Sequence, residues 1–547
     1  MNILFIMYDQ LRFDYLSCAG HPTLHTPNFD RVAAKGVRFT NTFVQSPICG
    51  SSRMSTYTGR YASSHGAQWN GFPLRIGEIT LGDHLREIGV DSWLIGKTHM
   101  RVDAKGMERL GLAPDSVIGA RQAECGFDVW VRDDGLWAEG PDGFYDESRS
   151  PYNEYLKSKG YDGENPWSDY ANAGIDGDDI ATGWMFKNSD KAANVREEDS
   201  ETPWLTSEAI KFIDQAEGPW CAHVSYIKPH WPYIVPAPYH DMYGLNDVPQ
   251  ATRHSVERED PHPVIGAFMG NKISAAFQQD QAREKVIPAY MGLIKQCDDQ
   301  LGRLLDHLEE TGRDKDTMIV LTSDHGDYLG DHWLGEKSLF HDQSVKIPLI
   351  IFDPRTEADA TRGTTCDALV ESIDLAPTFV EAQGGKPGYH IFEGRSLMPW
   401  LNGETPDWRE YAISEFDFSA TPMCKQLGLE TRDARLFMVF DGRYKLTHFE
   451  GGFPPMLFDL ETDPEEFFDL AKGNDHQAEI DRLYECLRNW GLRMSQRVTR
   501  SEEDIEGMLG KSPRKGILNF MVDGTEVPDE LTAKYRGKVR QRYSPPD

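Results

Sequence analysis

No run of about 18 or more apolar residues occurs in this chain, so nothing in it reads as a membrane-spanning helix. The first residues, Met1-Asn2-Ile3-Leu4-Phe5-Ile6-Met7, lack a basic start and a small-residue cleavage site, and read as a buried strand rather than a leader. Cysteine is sparse: eight in 547 residues, scattered, with no CxxC pair, which excludes a disulfide framework and a zinc knuckle. With no leader, a reducing, cytoplasmic setting is expected. Basic residues are also short, 57 Lys+Arg against 88 Asp+Glu, for a formal charge of −31. That balance argues against nucleic acid or an anionic membrane as partner, since both need clustered cations. It leaves an anionic small molecule open, because a few local cations decide that. There is no internal repeat and no low-complexity tract.

What is present is a foldable chain of 39% hydrophobic residues, long enough for a large core. Short apolar runs at Ile3–Met7, Ser92–Ile95, Trp220–Tyr226, Met318–Leu321 and Leu349–Phe352 alternate with helical stretches near Thr80–Ile88, Leu205–Ala216 and Ile287–Leu308. The spacing predicts an α/β fold, a mostly parallel central sheet with helices on both faces. It extends over about residues 1–410, with an irregular insertion, rich in Asp, Gly, Tyr and Trp, at about 100–201. Residues 411–500 read as a smaller α+β subdomain, with strands at Phe437–Phe440 and Tyr444–Thr447 and a helix at Gln477–Met494. The tail, 501–547, is polar and broken by prolines but carries Ile517, Leu518, Phe520 and Met521. It is expected to be an arm that packs on a neighbouring subunit.

In sheets of this kind ligands bind beyond the carboxyl ends of the strands. Asp9, Lys97, His230 and Asp324 each follow the end of an apolar run, which points to one shared site. Asp9-Gln10 and Asp324-His325 offer two metal-ligand pairs. Two buried carboxylates repel unless a cation lies between them, so one divalent ion is expected. The imidazole favours Mn²⁺ or Zn²⁺ over Ca²⁺. Cys49-Gly50-Ser51-Ser52-Arg53 reads as a nucleophile at a helix start, aided by the helix dipole, with Arg53 about one turn on.

These residues resemble the sulfatase family of the alkaline phosphatase superfamily. The family hallmark, Cys-x-Pro-x-Arg followed by Thr-Gly-Arg, is matched by Cys49 to Arg53 and Thr58-Gly59-Arg60. Gly96-Lys97-Thr98-His99, Pro229-His230-x-Pro232, Thr322-Ser323-Asp324-His325-Gly326 and Lys346-Ile347-Pro348-Leu349 follow in the family's order. The resemblance covers about residues 3–470. It implies that Cys49 is oxidised by a formylglycine-generating enzyme to formylglycine, the nucleophile, which also ligates the metal beside Asp9, Gln10, Asp324 and His325. It implies that Arg53 and Lys97 hold the formylglycine oxygens, that His99 is the base, and that Lys337 contacts the transferring group. His230 becomes the general acid, and Asn70 and Thr98 face the substrate.

Three positions depart from the usual sulfatase pattern. Gln10 and His325 resemble instead the phosphonate monoester hydrolase and phosphodiesterase branch, and Ser51 stands where the hallmark has Pro. The expected activity is hydrolysis of small-molecule sulfate monoesters of the aryl type, with phosphodiester and phosphonate monoester hydrolysis in the same site. The alternative makes the phosphorus esters the main substrates. An unmodified Cys49 would leave an anion-binding protein without turnover. Related phosphonate monoester hydrolases use C-terminal arms in tetramers, so a homotetramer is expected.

Overall fold

A computed structural model describes residues 1–135, 150–493 and 499–508. Its strands are β1 (Asn2–Asp9), β2 (Val37–Phe43), β3 (Asp91–Gly96), β4 (Asp128–Arg132), β5 (Ala173–Asp176), β6 (Asp179–Thr182) and β7 (Trp220–Pro229) in the first part of the chain. They continue with β8 (Thr317–Ser323), β9 (Lys346–Phe352), β10 (Thr364–Glu371), β11 (Ala412–Asp417), β12 (Arg435–Phe440), β13 (Tyr444–Phe449) and β14 (Met456–Asp459). Eight of them form one sheet in the order β10-β2-β9-β8-β1-β7-β3-β4.

β1 is buried along its whole length because the sheet is covered on both faces. Its even positions, Leu4, Ile6 and Tyr8, join the core under the long helix Asp280–Thr311. Its odd positions, Ile3, Phe5 and Met7, join the core under the helix Leu375–Ala382. Alternate side chains of a strand point to opposite faces, so a continuous apolar run is what two covers require. Each such side chain contributes about 1.5–3 kcal/mol by leaving water. The long helix starts before the stripe read from the sequence and runs through Pro288. Ile287, Met291, Ile294, Leu301, Leu304, Leu305 and Leu308 are all buried, and that stripe offsets the backbone bond the proline removes. The helix stops at Gly312, whose φ of 72° suits a residue without Cβ.

The sheet is mostly parallel, as expected, with one exception. β9 runs antiparallel to both β8 and β2. The run Leu349–Phe352 could not reveal its direction, since burial on two faces reads the same either way. Residues 100–201 are more regular than the insertion expected there. They include the helices Ala104–Leu110, Val117–Ala123 and Pro151–Ser158, and β4 adds an edge to the main sheet. Residues 136–149 lie outside the described part.

β11-β12-β13-β14 form a separate antiparallel sheet. The helix Gln477–Gly491 lays Ile480, Leu483 and Trp490 on Ile413, Val439, Leu446 and Leu457 of that sheet. It ends at Gly491, and Met494, the end expected from the sequence, lies outside the described residues. The chain divides at Ser495 into two units, and of the second the short helix Glu502–Met508 is described. The tail side chains expected to anchor a neighbour, Ile517 to Met521, lie outside the described residues. Among the described residues no helix is long and apolar enough to cross a membrane.

Candidate active site

Strands β8, β1, β7 and β3 are consecutive neighbours in the sheet and all parallel. Their carboxyl ends therefore deliver Asp324, Asp9, His230 and Lys97 side by side. Cys49 joins them from the first turn of the helix Cys49–Thr58, every residue of which is buried. Asn70 accepts a hydrogen bond from Gly50 N–H at 2.8 Å and so secures that turn.

The Cys49 sulfur lies amid these groups. Sγ lies 3.0 Å from His325 Nε2, 3.2 Å from Lys337 Nζ and 3.9 Å from Asp9 Oδ1. Asp9, Cys49, Asp324 and His325 present donor atoms all within 4.8 Å of one another, and all four residues are buried. His325 Nδ1–H donates to the Gly326 carbonyl at 2.8 Å, which leaves Nε2 bare and facing the cluster. That tautomer, with two buried carboxylates 3.6 Å from the same nitrogen, fits a divalent cation. Gln10, held at a φ of 67°, donates its amide to Tyr233 and Asp327, so that its oxygen faces Lys337 Nζ at 3.3 Å. This orientation turns the Gln10 oxygen toward the same site.

Arg53 and Lys97 grip the carboxylates rather than the sulfur. Arg53 donates to Asp324 at 2.8 Å, to Asp9 at 3.3 Å, to Ser225 Oγ and to the Lys97 carbonyl. Lys97 Nζ donates to Asp9 at 2.5 Å. Burial by itself would raise the Asp9 carboxyl, but Lys97 and Arg53 hold it well below the usual carboxylate range. Burial opposes the charge on Lys97 as well, and Asp9 and Cys49 raise it regardless.

His230 Nδ1–H donates to the Trp231 carbonyl at 2.7 Å, and its Nε2 faces Lys337 Nζ at 3.5 Å. Burial, then Lys337 and Lys97, push the His230 imidazole well below its ordinary value, against the pull of Asp9. His99 meets Cys49 through its ring and is pushed down by burial and by Lys97. Its φ of 56° is a strained value for a residue with a side chain, and its backbone N–H is held by Asp134 at 3.3 Å. Thr98 is buried, and its hydroxyl donates to Glu124 at 2.6 Å, which braces the loop. The reading of the sequence missed Tyr233, Ser225, Asp134 and Asp327, which support these groups. A buried Tyr or Ser has no spacing that marks it beforehand.

Residues 1–385 match the sulfatase family model, and residues 330–491 match a model described as N-sulphoglucosamine sulphohydrolase, C-terminal. The chain belongs to the sulfatase family. Among relatives of this sulfatase, a multifunctional alkaline phosphatase superfamily protein, PehA, of Trinickia caryophylli is 31% identical over 93% of this chain and 99% of the relative. An arylsulfatase of Clostridium perfringens is 27% identical over 89% of this chain and 93% of its own. In structure, a phosphonate monoester hydrolase of Silicibacter pomeroyi matches with a TM-score of 0.78 and 30% identity, over 91% of this chain and 96% of the other. The sulfatase thus has an alkaline phosphatase-like fold and is a member of a family of ester hydrolases.

Proposed function

We propose that this sulfatase hydrolyses sulfate monoesters of the aryl type and turns over phosphodiesters and phosphonate monoesters in the same site. The observation that carries this is the cluster, the one found among the described residues, of Asp9, Cys49, Asp324 and His325 with Lys97, Lys337, His99 and His230 gathered round it. Three cations, Arg53, Lys97 and Lys337, face two carboxylates, which favours an anion within a strongly acidic protein. All three substrate classes carry one negative charge on the transferred group, and one metal suits that charge; a phosphate monoester dianion favours two.

Asp9, Gln10, Asp324 and His325 would hold one divalent ion, which supplies Lewis acidity, and Mn²⁺ or Zn²⁺ suits the imidazole ligand. Formylglycine formed from Cys49 supplies the nucleophile. The chain's own residues do the rest. Arg53 fixes both carboxylates in place. Lys337 binds the transferring group. Lys337 Nζ–H points at His230 Nε2 across 3.5 Å, and a proton taken up at Nε2 is placed to pass to the leaving oxygen. His99, neutral because it is buried beside Lys97, is ready to accept a proton at the Cys49 side.

A second reading makes the phosphorus esters the main substrates. Gln10 and His325 in the ligand set favour it, as does the structural likeness to a phosphonate monoester hydrolase. The test is a matched set of kcat/KM values for aryl sulfate, phosphodiester, phosphonate monoester and phosphate monoester. Aryl sulfate highest and phosphate monoester lowest is the expected ranking. A phosphorus diester or phosphonate ahead of sulfate selects the second reading. No turnover of any, with the Cys49 peptide lacking the loss of about 18 Da that accompanies formylglycine, leaves an anion-binding protein.

A further inference from the structure

An exposed tryptophan, Trp184, stands one ring removed from the general acid just described. Trp231 follows His230 directly, and the two rings lie 4.4 Å apart. Trp184 meets Trp231 edge-on at 5.5 Å, and it is 45% exposed. Behind Trp184 is Trp167, buried, at 6.1 Å, its indole N–H held by Glu201 at 2.7 Å. A row of indoles thus leads from His230 out to solvent.

The backbone under Trp184 is wired to the backbone under His230. Gly183, just after β6, donates to the Asn172 carbonyl at 3.0 Å. A Cβ on Gly183 would lie 2.3 Å from that oxygen, so only glycine permits the approach. Asn172 Oδ1 in turn accepts from Lys228 Nζ at 3.0 Å, and Lys228 also donates to the carbonyls of His230 and Pro232. The indole is therefore held relative to the acid, and this preorganisation lowers the ordering cost of binding a flat apolar group.

From this geometry we propose that Trp184 and Trp231 form the leaving-group platform of the site and select esters whose leaving group is an aromatic ring. The inference rests on the hydrolase reading above, and on His230 as the group that protonates the leaving oxygen. A ring bonded to that oxygen lies next to the His230 imidazole, within stacking reach of Trp231 and then Trp184. A small alkyl group at the same oxygen reaches neither.

The test uses the full-length enzyme and the ester class that wild type turns over fastest. Two esters of that class are compared, one aryl and one small alkyl, matched in leaving-group acidity. Trp184→Ala is expected to lower kcat/KM for the aryl ester about tenfold, chiefly through KM, and to change the alkyl ester by less than about twofold, the scale of one lost aromatic contact. Trp184→Phe should recover most of the loss, and Trp231→Ala should lower the aryl ester more than the alkyl ester. An equal loss on both esters, or none on the aryl ester, overturns the platform. A wild type that turns over no ester instead overturns the hydrolase reading. The platform is then decided by calorimetric titration of phenol into Cys49→Ala protein: weaker binding once Trp184 is also replaced by Ala supports it, and unchanged binding overturns it.

Discussion

Cys49 is the point on which Lys337, His325, His99 and Asp9 converge, and in the proposed reaction this one side chain serves every substrate class. Cys49→Ala should therefore remove turnover of sulfate, phosphodiester and phosphonate esters together, by at least ~10³-fold, the loss seen when a covalent catalyst is removed. Metal content by mass spectrometry should persist, because Asp9, Gln10, Asp324 and His325 remain. An alanine variant that still hydrolyses phosphodiesters near the wild-type rate would remove Cys49 from the mechanism. His230 gives a finer prediction. A general acid matters in proportion to the charge that develops on the departing oxygen. His230→Ala should cost little with nitrophenolate and much with an alkoxide, so that a plot of rate against leaving-group pKa steepens. Equal slopes in variant and wild type would assign the proton to another group.

β11 carries a second kind of buried acid, outside the Asp9, Cys49, Asp324 and His325 cluster. Glu415 accepts a hydrogen bond from Ser63 N–H at 3.0 Å, and burial pushes its carboxyl up to about 7. Its ordinary value is 4.5. Between those two pH values the folded protein keeps a proton that the unfolded chain has released. Stability from this group is thus present below about 4.5 and is lost as pH rises to about 7. Glu415→Gln keeps an oxygen for Ser63 and carries no charge to bury. Relative to wild type it should be stabilised by up to about 3 kcal/mol at pH 8 and by little at pH 4.5. Melting curves at the two pH values read the difference; a gap that does not widen with pH would mean that Glu415 is ionised in the fold.

The antiparallel sheet and the main sheet are joined by a buried ionic network. Arg409 donates to both oxygens of Asp374 and lies 3.3 Å from Glu371, which accepts from Tyr61 and from Ile413 N–H of β11. Glu371 ends β10 of the main sheet, so the network spans the two sheets. Arg409→Ala leaves two buried carboxylates without their cation, and should destabilise by about 3–5 kcal/mol. Because residues up to Ser495 form one compact unit, this loss should lower one shared melting transition. Two separate transitions in the variant, the first losing β11 to β14, would show that the sheets are coupled more weakly than their contacts imply.

Much of the site was legible in the chain because function repeats a residue pattern at strand ends. Asp9, Lys97, His230 and Asp324 each follow an apolar run, and a parallel sheet puts such ends on one edge whatever the order of its strands. The hallmark Cys49 to Arg53 is local, within one helical turn, so its spacing survives folding. The antiparallel direction of β9 was not legible, since a strand buried on both faces has no side that marks its direction. Nor was the partnership of Arg53 with Asp9 and Asp324, or of Thr98 with Glu124, because those bonds join residues 26 to 271 positions apart. Residue types and local spacing, and hence the family and the donor set, were determined by the sequence alone. Which cation meets which carboxylate, and which indoles stand beside His230, was decided by tertiary packing, because hydrogen bonds and ring contacts between distant segments depend on distances that only the closed fold supplies.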